Sequence, residues 1–244
     1  MLRIPRPRTL LPAHFIKRPN RFVAHLTYAG REVVAHVPDP GRLKELLNPG
    51  VEALIDDYGS DTERKLRYSL ELVKAETGFW VSVNTQLPNR LMAHLIENKT
   101  LPWLKGYHLH KKEVTLGTSR IDFCLSHQPD QLIKPLYLEV KSCSLVAPQP
   151  DGKRLALFPD APTVRGARHV AELMQHHCQT GESCCIVFIV QRPDADMLSA
   201  NRITDPLFAE TLWKAYQSGI PIKACCFELS ATESLYIKEI PVVF

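Results

Sequence analysis

The chain has 244 residues, 45% hydrophobic and 23% charged, an ordinary balance for a soluble globular protein, and at about 100 to 150 residues per domain this length divides into two domains. The longest apolar run, Cys184 to Val190, is far short of the roughly 20 residues a bilayer requires, so no membrane span is expected. Seven cysteines, an odd number with no C-x-x-C spacing, argue against a disulfide framework and a zinc ribbon, and six of them, Cys124, Cys143, Cys184, Cys185, Cys225 and Cys226, read as small buried hydrophobes in a reducing, cytoplasmic compartment.

The net charge of +4 is unevenly placed. Arg3, Arg6, Arg8, Lys17, Arg18, Arg21 and Arg31 all precede the first acid, Glu32. Such a basic arm favours a polyanion, nucleic acid foremost, although on charge alone a solvated terminus explains it equally well. Pro5, Pro7 and Pro12 break any amphipathic helix there, which argues against a transit peptide.

From Arg21 to Leu87 the pattern is short strands and turns: Arg21 to Thr27, Arg31 to Val37, the Pro38-Asp39-Pro40-Gly41 turn, Val51 to Ile55, Tyr68 to Ala75 and Gly78 to Val83. A short helical piece, Gly41 to Leu47, interrupts them. Five strands with one small helix suit an OB-fold-like barrel over 1–87, with Arg21 and Arg42 as leading nucleic-acid contacts. The Asn84 to Asn89 stretch marks a boundary, and 88–244 forms the second domain.

There the expected order is helix (Arg90 to Asn98), strand (Glu113 to Thr118), strand (Arg120 to Leu125), strand (Leu136 to Ser144), helix, strand (Cys184 to Val190). A second helix, Pro206 to Ser218, and strands at Ile222 to Phe227 and Leu235 to Ile237 complete the layer. This αβββαβ order is the core of a restriction-endonuclease-like fold, and the whole reads as an α/β (α+β) protein.

Alternation along the two central strands places Ile121, Phe123 and Leu125 on one face and Asp122 on the other, then Leu138 and Val140 opposite Glu139 and Lys141. Two carboxylates and an ammonium converge on one face of a sheet whose other face is apolar. Asp122 and Glu139 could supply the ligands of Mg²⁺ or Mn²⁺, which keeps several waters, while Lys141 positions a water or stabilises phosphorane oxygens. Asp followed by Glu-x-Lys is the spacing of the PD-(D/E)xK nucleases; the alternative is a solvated strand face with a minor ion pair. Glu97, on the preceding helix, is a weaker candidate for a further metal ligand.

After Phe158-Pro159-Asp160-Ala161 a helix carries Val170, Leu173, Met174 and Cys178 at core-facing intervals. Arg165, Arg168 and His169 lie near its start, where basic side chains and the helix N-terminus suit phosphate, together with Arg120 from the sheet. Thr163 reads evenly as an N-cap or a phosphate contact. Considered as metal ligands, His169, His176 and His177 read instead as ordinary surface histidines. No Walker A loop and no G-x-G-x-x-G is present, so nucleotide cofactors are unsupported.

These residues resemble the sugar fermentation stimulation protein A family of bacteria and archaea. The matching text covers nearly the whole chain: Arg21-Phe22, Pro38 to Arg42, Val83-Asn84-Thr85 with Pro88-Asn89, Gly117 through Ser119 to Phe123, Glu139 to Ser142, Phe158 to Ala161, Thr163 with Arg165-Gly166, and His169. The resemblance implies an N-terminal OB-like domain, a PD-(D/E)xK nuclease-like domain, DNA binding without marked sequence preference and a regulatory role in sugar (maltose) metabolism. One departure stands at Asp39, where the family usually has Asn. Three functions compete: a DNA-binding regulator of little sequence specificity, a Mg²⁺-dependent nuclease acting on single-stranded or structured DNA, with RNA left open, and a sugar-metabolic protein binding small molecules, which no lectin-like or kinase-like motif supports; DNA binding with an intact metal-dependent nuclease-like site is favoured here. Nothing in the sequence sets the oligomeric state.

Overall fold

The computed structural model describes residues 1–244 except Pro40, Asp61 and Thr62. The N-terminal unit is a barrel built from β2 (Leu11–Asn20), β3 (Val23–Tyr28), β4 (Arg31–His36), β5 (Glu52–Asp57), β6 (Tyr68–Lys74) and β7 (Trp80–Ser82). Its strand order is β4-β3-β2-β5-β6-β7, and a parallel pairing of β4 with β6 closes five of the strands on themselves. The alternation that makes strands also fills the barrel: Phe15, Leu26, Ile55 and Leu70 point inward and are fully or nearly fully buried.

Two expectations are corrected here. The basic segment is not a free arm. Residues Leu11–Asn20 form the barrel strand β2, and β1 (Arg3–Pro5) joins the sheet of the second unit. Its cations are largely engaged: Arg3 bridges Glu233 at 2.9 Å, Arg8 forks Asp56 through two 2.8 Å bonds, and Arg18 donates to the carbonyls of Arg21, Asp39 and Gly41. Pro12 and Pro19 hide the strand from a propensity reading, while Ala13 and Phe15 are the buried alternates that reveal it. The second correction concerns 41–47, which forms turns rather than a helix. Pro40 of the expected turn lies outside the described residues.

The second unit begins with α1 (Leu87–Glu97), which buries a Leu87, Leu91, Leu95 stripe, followed by β8 (His108–Leu116), β9 (Ser119–Ser126) and β10 (Leu136–Cys143). Then come the short β11 (Val146–Pro148) and β12 (Arg154–Phe158), α2 (Val164–Thr180), β13 (Ser183–Val190), β14 (Met197–Ala200), α3 (Pro206–Gln217), β15 (Ile222–Leu229), β16 (Glu233–Ile240) and β17 (Val242–Val243). The main sheet runs β1-β16-β15-β13-β10-β9-β8, with β13 parallel to both β10 and β15. A small sheet, β11-β12-β14-β17, was not anticipated; its strands are two to five residues long, and the Pro148 to Gly152 turn is the tip of the β11–β12 hairpin. Among the described residues no helix is long and apolar enough to cross a membrane.

Both faces of the main sheet are covered. Phe123, Leu138, Val187 and Phe227 pack toward α1 and the barrel residues Leu54 and Leu72, while Tyr137, Ile186 and Phe188 pack toward α2 and α3. The apolar layer expected on one side only is therefore present on both, as continuous hydrophobic strands such as β13 require. Thr163 caps α2, its hydroxyl accepting the Gly166 N–H at 3.0 Å, and a Cβ at Gly166 would stand 2.7 Å from that hydroxyl. Glu172 on α2 accepts the N–H groups of Thr118 and Ser119 at 3.1 and 2.7 Å, which fixes the Gly117 turn (φ 59°) ahead of β9.

Ile4, buried at the edge of the sheet, ties the start of the chain to the second unit, and the Tyr236 N–H bonds the Leu2 carbonyl at 3.0 Å. Ile4→Ala should cost about 2 kcal/mol of unfolding free energy. It should also accelerate hydrogen exchange at the Tyr236 amide; unchanged exchange there would contradict this role for β1.

Candidate active site

Asp122 sits where two strands part. β9 pairs with β10 through Leu125, Cys124 and Phe123 opposite Leu136, Tyr137 and Leu138, and the pairing then stops. At the next position the Asp122 side chain replaces the ladder: its Oδ2 accepts the Val140 N–H at 2.7 Å, and its Oδ1 accepts the Asn89 amide at 2.6 Å. This parting also breaks the alternation. Ile121 belongs with the α2 side of the sheet, not with Phe123 and Leu125 as expected.

Beyond the split, Glu139 and Lys141 project from β10 toward α2 and are 3% and 8% exposed. Lys141 Nζ donates to Glu139 Oε1 at 2.7 Å, and His169 Nδ1, from the second turn of α2, lies 2.7 Å from the same oxygen. The Arg165 guanidinium can only donate, so at 3.3 Å the His169 Nε2 is the lone-pair nitrogen and Nδ1 carries the proton that Glu139 accepts. Glu139 Oε2 is left buried without a partner among the described residues. That orphan is the unusual feature of the site, because a buried carboxylate oxygen ordinarily finds a donor.

The two carboxyls respond oppositely to their surroundings. Burial, and after it the Glu139 charge, push the Asp122 carboxyl up to about 6 against the opposing Val140 and Asn89 hydrogen bonds. Burial would also raise Glu139, but Lys141 and the His169 hydrogen bond overcome it and hold the group below its ordinary value.

A cleft opens over this cluster, walled by Asp122, Glu139, Lys141, Arg120, Arg165 and His169. Thr85, Gln86 and Asn89 close it from the start of α1. The structure thus brings together six of the residues singled out from sequence, with Arg120 also 3.3 Å from Glu113. Arg168 is exposed on α2 and does not line the cleft, and Glu97 is exposed at the far end of α1, away from both carboxylates. Arg21 and Arg42 line a separate groove with Arg18 and Ala161 at the junction of the two units. His169 is no surface histidine but a buried partner of Glu139, and Cys178, expected in the core, is exposed. Asn89 was missed because Pro88-Asn89 reads as punctuation, whereas it orients Asp122.

Among the described residues no three His, Cys, Asp or Glu side chains are arranged to enclose a metal. Two carboxylates suffice for a cation that keeps several waters, and the donor set fits one: Glu139 Oε2 is free to coordinate while Oε1 stays fixed by Lys141 and His169. An acid raised in the folded state contributes fully below its ordinary value of 3.8, and that contribution is lost as pH rises through about 6. Metal-free Asp122→Asn should therefore gain stability over the parent, on the order of 2 kcal/mol, between about pH 4 and pH 7.5. Urea unfolding of both proteins across that range checks the gain, and parallel profiles would refute the raised carboxyl.

Family comparisons agree with this architecture. Residues 16–83 match the SfsA N-terminal OB domain, and residues 86–233 match the sugar fermentation stimulation protein RE domain. A sugar fermentation stimulation protein homolog of Moorella thermoacetica is 42% identical over 89% of this chain and 90% of its own. One from Acetivibrio thermocellus is 39% identical over 96% and 97%. The solved structure of Pyrococcus furiosus SfsA in complex with Ca²⁺ superposes over 100% of both chains with a TM-score of 0.87 at 29% identity. An N-terminal OB barrel followed by a restriction-endonuclease-like domain, matched along nearly its whole length, places this chain in the sugar fermentation stimulation protein family.

Proposed function

We propose that this protein binds nucleic acid with little sequence preference and that the cleft over β9 and β10 is a phosphodiesterase site dependent on Mg²⁺ or Mn²⁺. One observation carries the proposal: Glu139 Oε2, buried and unpartnered, stands in one cluster with an Asp122 carboxyl pushed up to about 6. The Glu139 charge adds to burial in raising Asp122, and a divalent ion shared by the two carboxylates would relieve that repulsion and partner the orphaned oxygen. The Pyrococcus furiosus relative in complex with Ca²⁺ supports a divalent ion in this family. When bound, the ion supplies positive charge against the phosphate oxygens and activates water.

The chain's own residues do the rest. Asn89 and the Val140 N–H fix Asp122, while His169 and Lys141 hold Glu139. Lys141 Nζ is the ammonium available at the attacking water or the developing phosphorane charge. Arg120 from β9 and Arg165 from α2, both lining the cleft, take the flanking phosphates. Arg21 and Arg42 in their groove track backbone phosphates, with exposed Phe22 beside Arg21, its ring 5.8 Å from the guanidinium, as a stacking surface.

With Mg²⁺ or Mn²⁺, wild-type protein should cleave at least one member of a panel of duplex, nicked, flap and single-stranded DNA and RNA. Asp122→Asn and Lys141→Ala should each lower the rate by about 10²-fold or more while remaining folded. A panel left intact under every metal would favour a binding protein without catalysis. In metal-free buffer, affinity for mixed-sequence DNA should fall steeply with salt, and Arg21→Ala and Arg42→Ala should each reduce the salt slope by about 1. An affinity insensitive to salt would contradict backbone recognition.

A further inference from the structure

The cleft over the carboxylates reaches around the open edge of β10. Period two puts Ser142 on the face of Leu138 and Val140, opposite Glu139 and Lys141, yet Ser142 lines the same cleft because β9 has already parted from β10. Main-chain groups alternate between the two edges of the strand in the same way. The Cys143 carbonyl faces β13, past whose end it accepts the Gln191 N–H at 2.9 Å, so the N–H groups of Val140 and Ser142 face the open edge. Asp122 takes the first, and β9 no longer reaches the second.

The Ser142 hydroxyl is held from the other side. Gln191, directly after β13 and 1% exposed, donates its side-chain Nε2 to Ser142 Oγ at 2.6 Å. Gln191 Oε1 is buried with no partner among the described residues. Turning the amide round would orphan a nitrogen with two N–H donors in place of one oxygen, a rarer state in folded proteins, so the oxygen is the atom left empty. With a lone pair of Ser142 Oγ taken by the amide, the hydroxyl proton points away from Gln191, and no acceptor takes it among the described residues. A buried amide left half satisfied stabilises a core less than an apolar side chain of the same volume. Its one side-chain bond goes to a residue of the cleft.

We propose that Ser142 binds a phosphate oxygen of a nucleic-acid strand in the cleft through its main-chain N–H and its hydroxyl, and that Gln191 is the positioning residue that turns the hydroxyl proton outward. Two donors on one residue, next in sequence to Lys141 and without acceptors of their own, suit an anionic oxygen. Arg120 reaches the cleft from β9 and Arg165 from α2, and Ser142 adds a neutral contact from β10 itself. This contact rests on the nucleic-acid reading of the cleft and not on cleavage.

Fluorescence anisotropy with a mixed-sequence oligonucleotide, single-stranded and duplex, in Ca²⁺ tests the contact on the full chain, with urea unfolding of every variant alongside. Ser142→Ala and Gln191→Met should each weaken binding of at least one form about tenfold, the worth of a hydrogen bond to a charged group. The double variant should bind no more weakly than Ser142→Ala alone, because Gln191 acts through Ser142. Neither change alters charge, so the slope of affinity against salt should stay that of the parent, unlike that of Arg21→Ala. Gln191→Met should unfold at no lower urea concentration than the parent, since its orphaned oxygen is gone. Parent-like affinity in Ser142→Ala, additive losses in the double variant, or a Gln191→Met protein that loses stability while binding like the parent would overturn the proposal. A protein that cleaves nothing with Mg²⁺ or Mn²⁺ yet shows the coupled losses refutes the phosphodiesterase reading alone.

Discussion

The bond from the Val140 N–H to Asp122 Oδ2 is the constraint on which the site depends. It satisfies a backbone donor that β9 no longer reaches, so the sheet can open at its centre without leaving an orphaned amide. Opening the sheet is what admits a cleft between two otherwise continuous hydrophobic layers. The same carboxylate is pinned from the other side by Asn89, so that α1, whose buried stripe packs on the sheet, sets the angle of Asp122. Lys141 and His169 complete the frame by fixing Glu139 from β10 and α2. A carboxylate pair placed in apolar surroundings survives because each member keeps hydrogen bonds to groups that folding has already ordered.

Three of the site's contributors, Asp122, Glu139 and Lys141, were legible from their spacing, because period-two alternation assigns faces as soon as the strands are recognised. The same rule misplaced Ile121, since it assumes that neighbouring strands stay paired. Arg165 and His169 were legible only as phosphate contacts; that His169 would be buried against Glu139 depends on how α2 docks across β10, a tertiary relation without local signature. Asn89 sits in a Pro-Asn pair that local rules read as punctuation. At the N-terminus, charge dominated the reading. Arg8 and Arg18 look like ligands for an external polyanion, yet Asp56 and three backbone carbonyls take them. Composition reports a residue's charge but not whether folding has already matched it.

The barrel and the sheet share more than a linker. Leu54 and Leu72 of the barrel pack in one apolar cluster with Leu10, α1 and the main sheet, and β1 extends that sheet at its far edge. The start of α1 therefore lies at the junction of both units and borders the carboxylate cleft. Residues Asn84 to Asn89 are short in sequence and supply Glu71's amide partner and the Asp122 clamp.

Asp122 and Glu139 Oε2 are proposed to share a divalent cation. Anomalous scattering from a crystal of this protein soaked in Mn²⁺ tests it most directly. One strong peak is expected between Asp122 and Glu139 Oε2, with Lys141 and His169 still on Oε1, and no peak there in Asp122→Asn. Manganese bound only elsewhere, with Glu139 Oε2 still unpartnered, would contradict it.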